Sequence, residues 1–540
     1  MKSTIEPMNL KMVLPILLVY GVVSAVGLHY HELFLDEAHH FLVSRDSGTL
    51  GELYSNLRYD GHPRLWGALL FLITHYITVD PVAMQVLQWC FAMVTAFVLL
   101  RYGPFSWWMK VLILAGYYFL FEYDLLSRNY AIGIWMLFLC CHLLRDVERN
   151  AWGIGLLILF MCSAHLFFAF ASVAIFLYAV MDWWGRGVEP RAGRRWNPVR
   201  FAVLAVPFAA GMVMALIQAQ TPSVDNVNMT PVNPAEWLSG KNFSFAASAL
   251  VQGWLPIPQV GGGRFWNSSW LNVHGGPVLP FLLFAVLLVF PAVYLRRRFA
   301  AIVFYYSGLG LLMVFFVATQ MTANRYFGMV YVFFLAAAWL TADGAGEVLS
   351  TNSVPGGLWV RRSWWVGWIT ILVVQVVVGL YAYCADLRRP FSQSRNTADY
   401  LRSLGADGCP IVVDGYTAGP MLCAYLEEKL WNLSSGGESS YCIWRSAYFP
   451  SPRLSVAQEF ARYPGLRELG EFILVSNRNL GEGGVIGGDA GVSGGDRGVA
   501  GYRLTALKSF ENSIVGENYY VYRVDPVPVA GASPVVNPAF

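Results

Sequence analysis

Two stretches near the start of the chain concentrate side chains able to do acid–base or phosphate chemistry. In the first, Phe34-Leu35-Asp36-Glu37-Ala38-His39-His40-Phe41, two carboxylates and two imidazoles follow directly on an apolar run. A carboxylate at a low-dielectric boundary gains proton affinity unless a cation compensates, which suits it to draw a proton from an incoming hydroxyl. The same pair also suits an ordinary helix start, since Asp and Glu in a first turn complement the helix dipole. In the second stretch, Tyr59-Asp60-Gly61-His62-Pro63-Arg64-Leu65-Trp66, an acid, an imidazole and a guanidinium surround a proline able to open a helix. A plain Asp-Gly turn before a helix has the same appearance. Farther on, Glu122, Asp124, Arg128, His165, Asn324 and Arg325 stand in or at the ends of apolar runs, where ionisable groups mark a site by default. Arg128 and Arg325 offer the forked guanidinium that binds phosphate oxygens in pairs. Interfacial snorkelling, or pairing with a carboxylate such as Asp124, is the structural alternative for each. Adjacent histidines point ~100° apart on a helix, a poor chelate. His39 and His40 therefore stay open as ligands of a divalent ion beside Asp36 or Glu37, or as hydrogen-bonded histidines.

The elements that must hold these groups follow from composition. Of 540 residues, 56% are hydrophobic and 13% charged, about half the ~25% charge of a soluble domain. That excludes a cytosolic multidomain enzyme, a disordered chain and a disulfide-stapled mini-domain. A polytopic α-helical membrane protein is expected, with about eleven spans near 11–29, 82–100, 107–123, 130–144, 152–165, 166–183, 201–219, 277–295, 300–319, 326–341 and 364–384. The stretch 65–79 is expected to be a short periplasmic or interfacial helix, and the pair 152–183, short for two crossings, leaves a broken or re-entrant hairpin as the alternative. Met1 to Leu28 reads as a retained first span rather than a signal peptide. The basic clusters Lys2/Lys11, Arg101/Lys110, Arg145/Arg149, Arg186 to Arg200, Arg296-Arg297-Arg298 and Arg361/Arg362 all fall on the cytoplasmic side if the N-terminus is cytoplasmic. An integral inner (cytoplasmic) membrane protein follows, with the loops 30–64 and 220–276 and everything after Asp386 extracytoplasmic. The basic run serves orientation and anionic lipid, with no nucleic acid as partner. Tryptophans such as Trp107, Trp183 and Trp364-Trp365-Trp368 suit an interfacial belt. Trp254, Trp266 and Trp270 suit either packing or a sugar-stacking lid.

The chain divides into 1–385, the transmembrane module, and 386–540, a small extracytoplasmic α/β domain. Helices are expected at Ser392 to Leu404, Pro420 to Leu430 and Val456 to Tyr463. Strands are expected at Pro410 to Asp414, Tyr441 to Arg445, Glu471 to Val475 and, as an edge, Tyr519 to Val524. Gly481 to Gly501, ten glycines in 21 residues, reads as a flexible loop without a phosphate-binding pattern. Cys384, Cys409, Cys423 and Cys442 are candidates for pairing if that region is extracytoplasmic.

Asp36-Glu37-Ala38 after the first span, then Asp60-Gly61-His62-Pro63 about 25 residues later, resembles the GT-C membrane glycosyltransferases. Within them it is most similar to family 39, the branch of protein O-mannosyltransferases and lipid A aminoarabinose transferases. The likeness covers Met1 to about Tyr383 as architecture and is strongest in 34–66 and 121–131. It implies a GT-C-like fold and transfer of a sugar from a polyprenyl-phosphate-linked donor to an extracytoplasmic acceptor, with inversion. Asp36 then matches the family's first-loop base, with Glu37 orienting sugar or acceptor or sharing that role. Asp60, His62, Arg64, Arg128, His165 and Arg325 become the substrate-binding set. A divalent metal ion stays open as a cofactor, since some relatives bind one near this loop and others work without one. Membrane lipids, the lipid donor and an acceptor of unknown kind are the expected partners. A glycan polymerase or ligase using a diphospho-lipid donor, and a lipid or glycan transporter, are the alternatives; a glycan-binding sensor or scaffold is a third.

Overall fold

The computed structural model describes residues 7–188, 198–222, 225–227, 239–261, 265–276, 278–342, 349, 357–404, 409–481, 484–486 and 501–527. Most of the basic run 186–200 and most of the Gly-rich stretch 481–501 lie outside the described residues. In chain order the helices are α1 (Leu10–Tyr30), α2 (Leu35–Asp46), α3 (Leu50–Asn56), α4 (Leu65–Tyr76), α5 (Val82–Tyr102), α6 (Trp107–Leu114), α7 (Tyr130–Leu143), α8 (Val147–Ala164), α9 (Leu166–Val188) and α10 (Pro198–Ala219). They continue as α11 (Gly240–Trp254), α12 (Trp270–His274), α13 (Val278–Leu295), α14 (Phe299–Thr319), α15 (Asn324–Leu340), α16 (Leu358–Arg388), α17 (Ser394–Leu404), α18 (Gly419–Leu426) and α19 (Val456–Arg462). Two compact units result. One comprises Met1–His31, Ser47–Ser223 and Asn228–Arg388; the other comprises Glu32–Asp46, Val224–Val227 and Arg389–Phe540.

The first unit is helical. Among the described residues, six of its helices are long and apolar enough to cross a membrane: α1, α5, Phe201–Ala219 of α10, α13, α14 and α16. Their outward sides carry exposed Leu18, Val206, Leu282 and Val366, a surface that lipid tolerates and water does not. The centre is α15, buried along its whole length because α7, α11 and α14 pack against it. Trp254 and Trp368 are fully buried in this core, Trp254 against Phe334 at 4.7 Å between ring centroids and Trp368 against the same ring at 5.6 Å. Trp254 is therefore core rather than lid, and Trp368 core rather than interfacial belt. Two expected spans are interrupted. The run 107–123 consists of α6 and then a π-helical turn, Tyr118–Glu122. The chain between α8 and α9 turns extended at His165, with φ −161° and ψ 153°. Both breaks expose backbone polar groups that a continuous helix would satisfy, and such breaks are tolerated where protein surrounds them.

The second unit is an α/β sandwich around strands β1 (Ile411–Asp414), β2 (Leu430–Asn432), β3 (Gly437–Ser439), β4 (Phe472–Ser476), β5 (Gly484–Ile486), β6 (Tyr502–Phe510) and β7 (Tyr519–Pro526). They form one sheet in the order β3-β2-β1-β4-β7-β6-β5. β1 is parallel to both β2 and β4, and the other pairings are antiparallel. Val412, Leu474, Tyr522 and Val524 bury one face under Val456 and Phe460 of α19. By the two-residue strand period, Val413 and Val475 face the other side. Tyr519 also faces that way, its hydroxyl donating to Ala418 O, 3.4 Å, just before α18; α18 in turn packs on α2 and α17. Three tail expectations are corrected. Residues Tyr441 to Arg445 form no strand; Arg445 pairs with Asn226 as an isolated β-bridge. Leu430 belongs to β2, not to the preceding helix. β7 is interior, because β6 covers its outer edge. Within the Gly-rich stretch, Gly484–Ile486 pair with β6. All eight cysteines are free thiols.

Candidate functional site

In the first unit the structure gathers His62, Arg128, His165 and Arg325. The break at His165 is what presents its ring. His165 Nδ1 accepts the Phe167 N–H at 3.1 Å, so in the neutral ring the proton sits on Nε2. That nitrogen is buried and has no hydrogen-bond partner among the described residues. The His62 ring lies 5.1 Å from it and the Tyr130 ring 4.8 Å, centroid to centroid. His62, Arg128 and Arg325 are the titratable neighbours that act on it electrostatically. His62 is brought in by the turn at Gly61, whose φ of +68° and 3.0 Å clearance to Thr221 Cγ2 both favour glycine. Arg128 and Asn129 precede α7, and the Asn129 amide donates to Ala164 O at 3.1 Å. That bond ties the start of α7 to the end of α8 beside His165.

Arg325 opens α15. Its guanidinium lies 5.3 Å above the Trp266 ring and 5.1 Å above Tyr326, a cation–π sandwich. Trp266 Nε1 donates to Glu122 Oε1 at 3.0 Å, and the Tyr117 hydroxyl donates to the same oxygen at 2.5 Å. Glu122 thus holds Trp266 under Arg325 and attracts the guanidinium electrostatically. The π-helical turn that ends at Glu122 is the local cause of this placement. The Asn324 N–H donates to Asn267 Oδ1 at 2.9 Å, and the Tyr123 hydroxyl to Arg325 O at 2.7 Å, so the helix start is fixed from two sides. Asp124 does not serve as an arginine partner: it accepts from Ser24 of α1 at 2.6 Å. Arg64 lies apart from this group. Its N–H donates to Gln218 at 3.1 Å and its guanidinium covers the Tyr54 ring at 5.1 Å. Asp60 acts on Arg64 by charge.

Asp36, Glu37, His39 and His40 all lie on α2, which belongs to the second unit. Glu37 is fully buried, and its Oε2 accepts the Phe34 N–H at 3.2 Å. The Leu35 N–H donates to Glu517 Oε1 at 3.0 Å. Two carboxylates therefore satisfy orphan donors at the start of α2. Burial, with the Asp36 and Glu37 charges, pushes the Glu517 carboxyl up to about 7. Asp36 is half-buried beside them. The His39 ring lies 5.3 Å from His40, 5.9 Å from Trp444 and 6.5 Å from Tyr441. Arg45 grips Asp46 through two nitrogens at 2.7 and 3.0 Å, and Ser440 also donates to it. These bonds hold the Asp46 carboxyl below its ordinary range despite burial. Among the described residues, no three His, Cys, Asp or Glu side chains are grouped so as to hold a metal ion. No family model matches the chain, and no curated protein matches it.

Sequence reasoning missed Tyr117 and Asn267 as parts of the arginine site, and Glu517 as a partner of α2. Tyr117 sits in an aromatic run that looks like core, and Glu517 in a polar hairpin that looks like surface.

Proposed function

We propose that the chain is a membrane-embedded glycosyltransferase that takes a sugar from a polyprenyl-phosphate carrier and transfers it to an extracytoplasmic acceptor. The observation that carries this reading is the group of buried Arg128, His165 and Arg325 with half-buried His62, framed by Tyr130, Tyr326 and Trp266. Two guanidiniums and an imidazole N–H donor in a mostly buried site suit a phosphate that must accept charge as its sugar leaves. Asp36 is the proposed base on the acceptor hydroxyl, with Glu37 fixing the helix that carries it.

The proposal includes eleven crossings with the N-terminus cytoplasmic. Three separated segments build the second unit, so they share one compartment and the chain crosses an even number of times between them. The long apolar helices between 227 and 389 are α13, α14 and α16, an odd number. Adding α15, buried throughout and about 26 Å long, restores parity. Six crossings between 46 and 224, from α5 to α10 with α6 and its π-turn taken as one, satisfy it as well.

The test is transfer by the purified chain from polyprenyl-monophosphate sugars. Arg128→Gln and Arg325→Gln should each lower kcat/KM at least tenfold, the scale of one lost charge-assisted hydrogen bond of about 1.5–3 kcal/mol. Full transfer by Asp36→Asn would remove the base assignment. Turnover of diphospho-lipid donors alone would move the reading to a polymerase or ligase, and lipid movement without bond cleavage to a transporter.

A further inference from the structure

The second unit has a feature that the α2 carboxylates do not use. β1 leads through α18 to β2 on one side, and the chain returns through α19 to β4 on the other side of β1. The carboxyl ends of β1 and β4 are thus a topological switch point, where the diverging connections of an α/β sheet open a crevice that characteristically takes ligands. Asp414 ends β1 and is paired in register with Ser476, which ends β4. Both point to the α19 face, because they share parity with Val412 and Leu474.

Two arginines converge there on one carboxylate. Arg453 Nη2 and Arg478 Nη2 donate to the same oxygen, Asp414 Oδ1, at 3.0 and 3.1 Å. Arg478 Nε and the Ser476 hydroxyl donate to Oδ2 at 2.9 and 2.6 Å. Arg453 Nη1 also donates to Asn477 Oδ1 at 2.8 Å. The Asp414 side chain is fully buried, whereas those of Arg453 and Arg478 are 37% and 28% exposed. One carboxylate does not neutralise two guanidiniums. The second acid in contact, Glu459 of α19, has its carboxyl pushed up to about 7 by burial and by Asp414 beside it, so it offsets the second guanidinium less than an ordinary carboxylate would. The backbone is shaped to admit the arginine: Gly415 has φ +98°, and a Cβ there would lie 2.5 Å from Arg453 Nη2 and 3.0 Å from Asn477 Oδ1.

We propose that the crevice at the carboxyl ends of β1 and β4 is an oxyanion-binding site, in which Arg453 and Arg478 take the phosphate or carboxylate group of a polar ligand. Asp414 aims both guanidiniums, and their solvent-side N–H groups meet the anion.

Amide exchange of the full chain in a zwitterionic detergent, with inorganic phosphate or glucuronate as probe, localises the effect. Exchange in 411–416 and 473–481 should slow at least threefold with one probe or both. Phosphate alone identifies a phosphate ester as the natural group, glucuronate alone a sugar acid, and both a general oxyanion site. Arg453→Gln should lose the effect, and Arg453→Lys, which keeps charge without the fork, should retain part of it. No slowing with either probe in the unmutated chain overturns the proposal. So does equal slowing with sodium chloride at matched ionic strength, or an undiminished effect in Arg453→Gln.

Discussion

Glu517 accepts the first free N–H of α2 while buried beside Asp36 and Glu37, and this has a thermodynamic cost that depends on pH. Its carboxyl rises from an ordinary 4.5 to about 7 in the folded chain. Below pH 4.5 both folded and unfolded states hold the proton, so stability is greatest there. Between about 4.5 and 7 the unfolded chain releases it first, and stability falls as pH rises. Glu517→Gln keeps an oxygen for the Leu35 N–H and removes this titration. The variant should keep more of the protection of its β4 and β7 amides than the unmutated chain does as pH is raised to 8. Glu459 contributes with the same sign, so part of the slope should remain. At the arginine site, Trp266→Phe keeps a ring under Arg325 but deletes the N–H that Glu122 holds. Weakening one hydrogen bond and one cation–π contact by about 1 kcal/mol together should lower kcat/KM for the lipid donor roughly three- to tenfold, without change in thermal midpoint. An unchanged kcat/KM would separate Glu122 from the positioning of Arg325.

Helices α7 and α9 touch through Gly133, where an added Cβ would fall 2.1 Å from the Phe168 ring. Gly133→Ala should therefore cost about 1–3 kcal/mol, measured by thermal melting in detergent, and Phe168→Leu should recover part of it. In the second unit, α2 is as much a part of the fold as the strands: Ala38, Phe41 and Leu42 are fully buried. Ala38→Asp should speed proteolysis of the tail as well as of α2. How far such elements could be read from the chain depended on the strength of their local signal. β1 and β4 were legible because Ile411-Val412-Val413 and Phe472-Ile473-Leu474-Val475 are apolar β-formers. β2 and β3, three residues each, are too short for any period to register. β6 hid behind the glycine run, and only its first half alternates between buried and exposed, which left β7 looking like an edge. The charged site residues stood out because a charge is rare in so apolar a chain. Tyr117 did not, since an aromatic that orients an arginine's partner has the same signature as one that fills a core.

Across the whole molecule, the proposed crossing by α15 separates two topologies that composition alone leaves equal. In a cysteine-free background, Leu358→Cys and a cysteine at Arg297 should react with an impermeant thiol reagent from the same side, and a cysteine at Ser446 from the other. Opposite labelling of positions 297 and 358 would remove the crossing by α15. Position 446 sharing a side with 358 would remove the crossing by α16. The composite second unit also carries a clock. Leu35 and Glu517 are 482 residues apart and hydrogen-bonded. At roughly 5–20 residues per second of synthesis, α2 waits on the order of half a minute to a minute and a half for the partner that caps it. During that interval Asp36 and Glu37 have no folded surroundings, so the base proposed here comes into register only when the chain is nearly finished. On that proposal, a ribosome that stalls before β7 would leave a helical bundle without transfer activity.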